Sequence, residues 1–383
     1  MTPYRFNTVA SLRVGPGAAR EIGAVCEELG IRRPMIVTDA GLVTAGLVEP
    51  LTACAAACCE AVSLFCEVAA DPSESIVMAA FEQLKADEVD GLIGLGGGSS
   101  MDVAKAIAVL AKGDQPLSSL YGVDQVAGGR LPLVLIPTTA GTGSEVTPVA
   151  VITTGETTKA GISSATLLPD IAILDAELTV GLPSHVTAMT GIDAMVHAIE
   201  AYTSKIKKNP ISDMLARRAL QLLSANQRRV LSHPEDLVAR EAMLLGATFA
   251  GQAFANAPVA AVHALAYPLG GHYHMPHGLS NALMLPAVLR FNASAVEAQY
   301  LELAELLPEG AGPGLDGFVT WFEQLISDAS LPDSLASAGV PESDLPMLAA
   351  DAMLQQRLLV NNPVDVDEAA ALNLYHAAWQ GAA

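Results

Sequence analysis

The chain has 383 residues, 51% of them hydrophobic and 16% charged. That excludes a disordered or fibrous chain and leaves room for about two domains with buried cores. Lysine plus arginine number 20 and aspartate plus glutamate 41, a formal charge of −21, so a nucleic-acid partner, which needs clustered cations, is excluded.

At the N-terminus, Met1 to Val9 has neither the basic start nor the apolar stretch of a leader. The most apolar tracts, such as Val103 to Ala111, are too short to span a membrane and end at Asp102 and Lys112. The chain therefore reads as cytoplasmic, with no membrane partner. The five cysteines are odd in number, and four of them fall between Cys54 and Cys66. A secreted disulfide framework spreads its cysteines more widely. Cys54 and Cys58 lie four apart on an Ala-rich helical pattern, either as small apolar residues or as a metal or redox pair.

Pro34 to Thr38 reads as a strand ending at Asp39, Ala45 to Cys59 as a helix, and Ala61 to Val68 as a strand. Ser73 to Ala86 reads as an amphipathic helix and Gly91 to Leu95 as a buried strand. A helix from Met101 to Lys112 and a strand from Leu131 to Ile136 follow. This alternation predicts an α/β domain with a doubly wound, mostly parallel sheet over residues 1–183. Pro183 ends that pattern and Ser184 caps the next, an all-helical domain over residues 184–383. Its first helices are Ala188 to Thr203, Ser212 to Leu231 and Glu235 to Ala255, and Pro308 to Gly314 reads as a surface loop.

Five segments carry chemistry. Gly94-Leu-Gly96-Gly97-Gly98-Ser99-Ser100-Met-Asp102 lies between a strand and a helix, where glycines and free N–H groups suit a phosphate. It is neither the G-x-G-x-x-G fingerprint nor a P-loop, and Ser99 or Ser100 could simply cap the helix. Asp39, at a strand's carboxyl end, either forms a turn or accepts the ribose hydroxyls of NAD. Pro137 to Glu145 packs hydroxyls and glycines just after a strand, as an ordinary loop or a ligand loop. Asp193 and His197 share one face of an apolar helix, and four of the eight histidines fall between His263 and His277. Three imidazoles and a carboxylate make an N/O site for a divalent metal, where the alternative is a set of core hydrogen bonds.

Taken together and in this order, these motifs resemble the iron-dependent (group III) alcohol dehydrogenase family, nearly end to end from Met35 to Asn362-Pro363. The resemblance implies a dinucleotide-binding domain, a helical domain and a site in the cleft between them. It implies a divalent metal, Fe2+ with Zn2+ as an alternative, on Asp193, His197, His263 and His277. It carries NAD contacts onto Asp39, Gly96, Gly97, Gly98, Ser99, Asp102, Thr138, Thr139, Thr142 and Lys159, where Lys159 is otherwise a solvated loop lysine. Asp39 fits members that prefer NAD to NADP. A homodimer or larger assembly is implied as well.

There are two departures. Tyr267 stands where the family often has a second histidine, which leaves Tyr267 or His274 to relay a proton, and Asp71-Pro72 replaces a common Asn-Pro. His272 reads as surface or pocket lining. The activity implied is reversible hydride transfer between NAD and small primary alcohols or diols. One alternative is a reductase of an acidic aldehyde or keto acid, like the maleylacetate reductases. Others are a non-redox enzyme of the same fold, like dehydroquinate synthase, and a metal-binding protein without catalysis. Residues 257–290 hold only one arginine or lysine, Arg290, which weighs against phosphate and acid substrates.

Overall fold

A computed structural model describes residues 3–155, 158–308 and 312–381. The chain divides into two compact units, Asn7–Gly181 and Leu182–Ala383, the latter joined by the first residues up to Phe6.

The first unit is built on a six-stranded sheet. Its strands are β1 (Ser11–Val14), β2 (Pro34–Val37), β3 (Ser63–Phe65), β4 (Gly91–Gly96), β6 (Leu133–Pro137) and β9 (Ile171–Leu174), in the order β1-β9-β6-β4-β2-β3. Every pairing is parallel. The helices are α1 (Ile22–Leu29), α2 (Ala40–Thr44), α3 (Val48–Ala56), α4 (Glu74–Ala86) and α5 (Gly98–Leu110).

Strand side chains alternate between faces. Met35, Val37, Leu92, Leu133 and Leu135 join one core with α4 and α5, while Ile36, Ile93, Leu95, Val134 and Ile136 join the other with α1 and α3. Apolar residues on both faces explain the near-continuous apolar runs of the central strands. After β3 the chain returns to the other side of β2 to make β4, so the order reverses there, and ligands of such sheets bind beyond the carboxyl ends at the reversal. Asp39 follows β2, Gly97 follows β4 and Thr138 follows β6.

The chain departs from the sequence reading in several places. Of the helix expected over Ala45 to Cys59, only Val48–Ala56 is helical, as α3, because Gly46 takes a left-handed backbone (φ 74°) that separates it from α2. Neither Ser99 nor Ser100 caps α5: Gly97 holds that position and both serines lie inside the helix. Likewise Pro183, not Ser184, is at the cap position of the next helix, with no side-chain cap. A second sheet, β5 (Gly122–Val123), β7 (Val149–Thr154) and β8 (Thr158–Ser163), was not read from the sequence. Cys58 is exposed and Cys26 buried, where burial pushes the thiol up to about 12. Among the described residues, these cysteines form no group able to hold a metal.

The second unit is helical. Its elements are α6 (Ser184–Thr203), α7 (Pro210–Ser232), α8 (Leu237–Asn256), α9 (Ala261–Tyr273), α10 (His277–Ala304, kinked at Val296), α11 (Gly314–Asp328), α12 (Leu345–Ala352), α13 (Gln356–Leu359) and α14 (Glu368–Gln380). No strand occurs in it among the described residues. Residues 309–311 of the expected surface loop lie outside the described residues, and Gly312 to Gly314 are exposed. No described helix is long and apolar enough to cross a membrane.

Candidate functional site

Alanine, glycine, methionine, valine and isoleucine fill just over half of α6, and it is buried continuously from Gly191 to Thr203, so it carries its polar side chains into the protein. Asp193, His197 and Glu200 repeat at helical spacing on one face. Helix α9 adds His263 and the first residue of α10 adds His277. Gly278 makes that last approach possible, since a Cβ there would lie 2.7 Å from the Met189 carbonyl carbon of α6.

One ligand atom from each of Asp193, His197, His263 and His277 lies within 4.8 Å of the other three. Asp193 Oδ1 is 3.8 Å from His197 Nε2, 3.9 Å from His263 Nε2 and 3.7 Å from His277 Nε2. Asp193, His197 and His263 are buried, whereas the His277 side chain keeps 32% of its exposure and marks the accessible side. Burial works against the Asp193 carboxylate, but His197, His277, His263 and the Asn281 amide together hold its carboxyl below the usual range. His197 stacks between Phe254 (4.4 Å) and His263 (4.7 Å).

Two residues of this cluster had no assigned role in the sequence reading. Asn281 Nδ2 is 2.6 Å from Asp193 Oδ1 and 3.2 Å from both His263 Nε2 and His277 Nε2, and its own Oδ1 is buried without a partner. Three lone-pair atoms thus converge on one donor, the arrangement expected of a cation site, and the donor set suits a borderline divalent metal. Glu200 accepts from Val262 N–H at 2.7 Å and meets His263 Nδ1 at 2.6 Å. Its helical spacing from His197 was the available signal, as was the four-residue step from His277 to Asn281.

Tyr267 lies one turn after His263, with its ring 5.9 Å from that of His277, and packs against an apolar cluster with Phe254, Val259 and Leu358. His274 ends α9 with a left-handed backbone (φ 51°), is exposed and lies outside the group of four. His272 pairs with Asp351 at 3.0 Å.

In the first unit, Asp39 caps α2, with Oδ1 accepting from Leu42 N–H at 3.0 Å. Gly96 has φ 146°, and a Cβ on Gly98 would lie 3.0 Å from Thr142, so the glycine and threonine loops nearly touch. Thr138 donates its N–H to the Gly96 carbonyl at 3.0 Å, and the Thr139 hydroxyl is buried without a partner in the same place. An orphaned hydroxyl beside a glycine turn and a helix start fits a phosphate-bearing cofactor.

Ser99 sits in the first turn of α5. Asp102 instead turns inward, accepting from Ser144 Oγ at 2.7 Å and Val151 N–H at 2.9 Å. The fully buried Lys105 lies 3.7 Å from it and donates to Ser144 Oγ and the Val149 carbonyl, both at 2.7 Å. Lys159 is on strand β8, not in a solvated loop, and its mostly buried ammonium pairs with Asp71 at 2.6 Å. That pairing balances the charge that Asp71 introduces.

The sequence matches the iron-containing alcohol dehydrogenase family over residues 10–176 and the C-terminal domain of the same family over residues 187–379. It is 39% identical to long-chain-alcohol dehydrogenase 1 of Geobacillus thermodenitrificans, over 96% of this chain and 95% of that protein. The chain belongs to the iron-containing alcohol dehydrogenase family. Among solved members, a 1,3-propanediol oxidoreductase superposes with a TM-score of 0.95 at 33% identity, covering 99% of this chain and 100% of that one. The sulfoacetaldehyde reductase of Bifidobacterium kashiwanohense, solved with NAD+, gives 0.89 at 29% identity, covering 98% of each chain. The fold is therefore that of the iron-containing alcohol dehydrogenases, and the chain is an oxidoreductase of that family.

Proposed function

We propose that this chain interconverts small primary alcohols or diols and their aldehydes with NAD(H). The observation that carries the reading is the convergence of four ligand atoms from three helices, α6, α9 and α10. Asp193, His197, His263 and His277 would hold a divalent metal, Fe2+ or Zn2+, which when bound acts as a Lewis acid that acidifies an alcohol. Gly96, Gly97, Gly98, Ser99, Thr138, Thr139, Thr142 and Lys159 would hold NAD, the hydride carrier, with Asp39 disfavouring a 2′-phosphate. Asp102 contributes by holding the threonine loop through Ser144.

Phe254 and Tyr267 offer apolar surface beside the histidines, which suits the carbon chain of an alcohol. Tyr267, whose ring lies 5.9 Å from that of His277, is the first candidate to carry the released proton, through its phenol, and His274 the second. The NAD+-bound sulfoacetaldehyde reductase supports a second reading, reduction of an acidic aldehyde. Against it, most cations of the helical unit are paired with acids, among them Lys205 with Asp365 and Arg290 with Glu323.

The test is anaerobic turnover after metal reconstitution, following NADH with a panel of short primary alcohols and diols and NADP in parallel. NAD-linked turnover that disappears in His263→Ala is the expected result. Absence of turnover with every alcohol, in protein that binds metal and NAD, would overturn it and direct the search to acidic aldehydes.

A further inference from the structure

We infer that Glu200 is a positioning residue: it sets the tautomer of His263 and so leaves that ring's Nε2 bare for a cation. The inference rests on the metal reading above and concerns the residues behind the ligands.

The two oxygens of Glu200 are both engaged. One accepts the Val262 N–H at 2.7 Å and the other meets His263 Nδ1 at 2.6 Å. A backbone amide can only donate, so α9 fixes which way the carboxylate lies. A carboxylate oxygen can only accept, so His263 Nδ1 carries the proton. In a neutral imidazole that leaves a lone pair on Nε2.

The far end of the ring agrees independently. Asn281 Nδ2 faces His263 Nε2 at 3.2 Å. The same nitrogen is 2.6 Å from Asp193 Oδ1, which can only accept, so the amide presents its N–H side to the cluster. An N–H on His263 Nε2 would meet another N–H. Both ends of the ring therefore require the same tautomer, and both contacts are buried.

Glu200 has a second task that the test must separate. Ala260, at the N-cap position of α9, offers no side-chain cap, and the Glu200 carboxylate satisfies an N–H of the first turn in its place. Glu200→Gln exposes the difference. The amide has one acceptor for two donors. If its oxygen keeps Val262, its NH2 faces His263 Nδ1 and drives the ring to the Nε2–H form, which a metal cannot use. If its oxygen keeps His263, its NH2 confronts the Val262 N–H.

The first measurement needs no variant. Histidine 15N shifts of the metal-free wild-type protein, with His263 assigned by substitution, should show a protonated Nδ1 and a bare Nε2. The reverse pattern overturns the inference outright. Zinc titration of wild type, His263→Ala and Glu200→Gln follows, with circular dichroism as the fold control. Glu200→Gln should bind zinc roughly 10–100-fold more weakly, with His263 shifted toward the Nε2–H form.

If Glu200→Gln loses only thermal stability, keeping the Nδ1–H pattern and zinc affinity, Glu200 merely caps α9 and the inference falls. If His263→Ala itself binds zinc as tightly as wild type, the metal reading has failed. If Glu200→Gln does not fold, the wild-type shifts still decide.

Discussion

Lys105 shows how much one buried side chain can govern. Its ammonium is fully enclosed and held by Ser144, Thr147 and the Val149 carbonyl, with Asp102 close by. Burial pushes its pKa from 10.5 down to about 8, against the pull of Asp102 and Glu145. Between about 8 and 10.5 the folded lysine has lost its proton while the unfolded one keeps it. The unfolded state then binds more protons, so this group adds stability as pH rises through that window. Cys26 acts oppositely, because burial raises its thiol from 9.0 to about 12 and favours the folded state at lower pH. The comparison that isolates Lys105 is therefore wild type against Lys105→Met in denaturant melts from pH 7 to 10.5. The variant should be less stable at pH 7 by roughly 3–5 kcal/mol, the usual cost of leaving a buried partner charge alone. That gap should widen as pH climbs from about 8 to 10.5, and a gap that stays constant or narrows would refute the assignment. Asp102 joins this network through Ser144, so the substitution should also loosen the loop that carries Thr138 to Thr142.

Helix packing sets the next level of precision. His277 opens α10, and the following Gly278 lets that helix start against the Met189 backbone of α6. In Gly278→Ala the new methyl meets backbone, which cannot rotate away, so the start of α10 must move and His277 with it. Overpacking of this kind costs typically 1–3 kcal/mol. Gly278→Ala should lower both the melting temperature and zinc affinity, and a variant that melts early yet binds zinc normally would show that His277 does not depend on this contact. Elements of this kind were legible to different degrees. Long helices such as the apolar α6 and α8 and the amphipathic α7 show in periodicity and length, and the face of α6 places Asp193 with His197. The central strands β2, β4 and β6 read as apolar runs because both faces are covered. β5 and β8 carry no strand signal because their residues are small, polar or half-exposed without strong alternation, whereas the apolar run Val149-Ala-Val-Ile152 of β7 does carry one. The inward turn of Asp102 and the pairing of Lys159 with Asp71 depend on contacts 42 to 88 residues apart in sequence, beyond the reach of any local pattern. Glu200 and Asn281 stood at helical spacing from recognised histidines, yet only the fold shows which ring atoms they face.

At the level of the whole chain, only one of the two units carries a tryptophan reporter. Both tryptophans, Trp321 and Trp379, belong to the helical unit, and the α/β unit has none. Tryptophan fluorescence during heating therefore follows the unit that carries Asp193, His197, His263 and His277. A metal that binds only the folded unit stabilises it by mass action, by about 2.7 kcal/mol at a hundredfold excess over its Kd. For a unit of this size each kcal/mol moves the midpoint by roughly 2–4 °C. The fluorescence midpoint should thus rise roughly 5–10 °C on adding zinc to chelator-treated protein, and Asp193→Ala should abolish the rise. An equal rise in Asp193→Ala would mean that zinc stabilises the chain from somewhere else, which a surface of net charge −21 makes a real competitor. Calcium separates the two origins, because an acidic surface attracts any divalent ion, whereas three imidazoles and one carboxylate select zinc over a hard cation. Zinc-specific stabilisation that is lost with Asp193 places the ion at the four-residue cluster. Stabilisation shared by calcium and retained in Asp193→Ala removes the thermodynamic support for it.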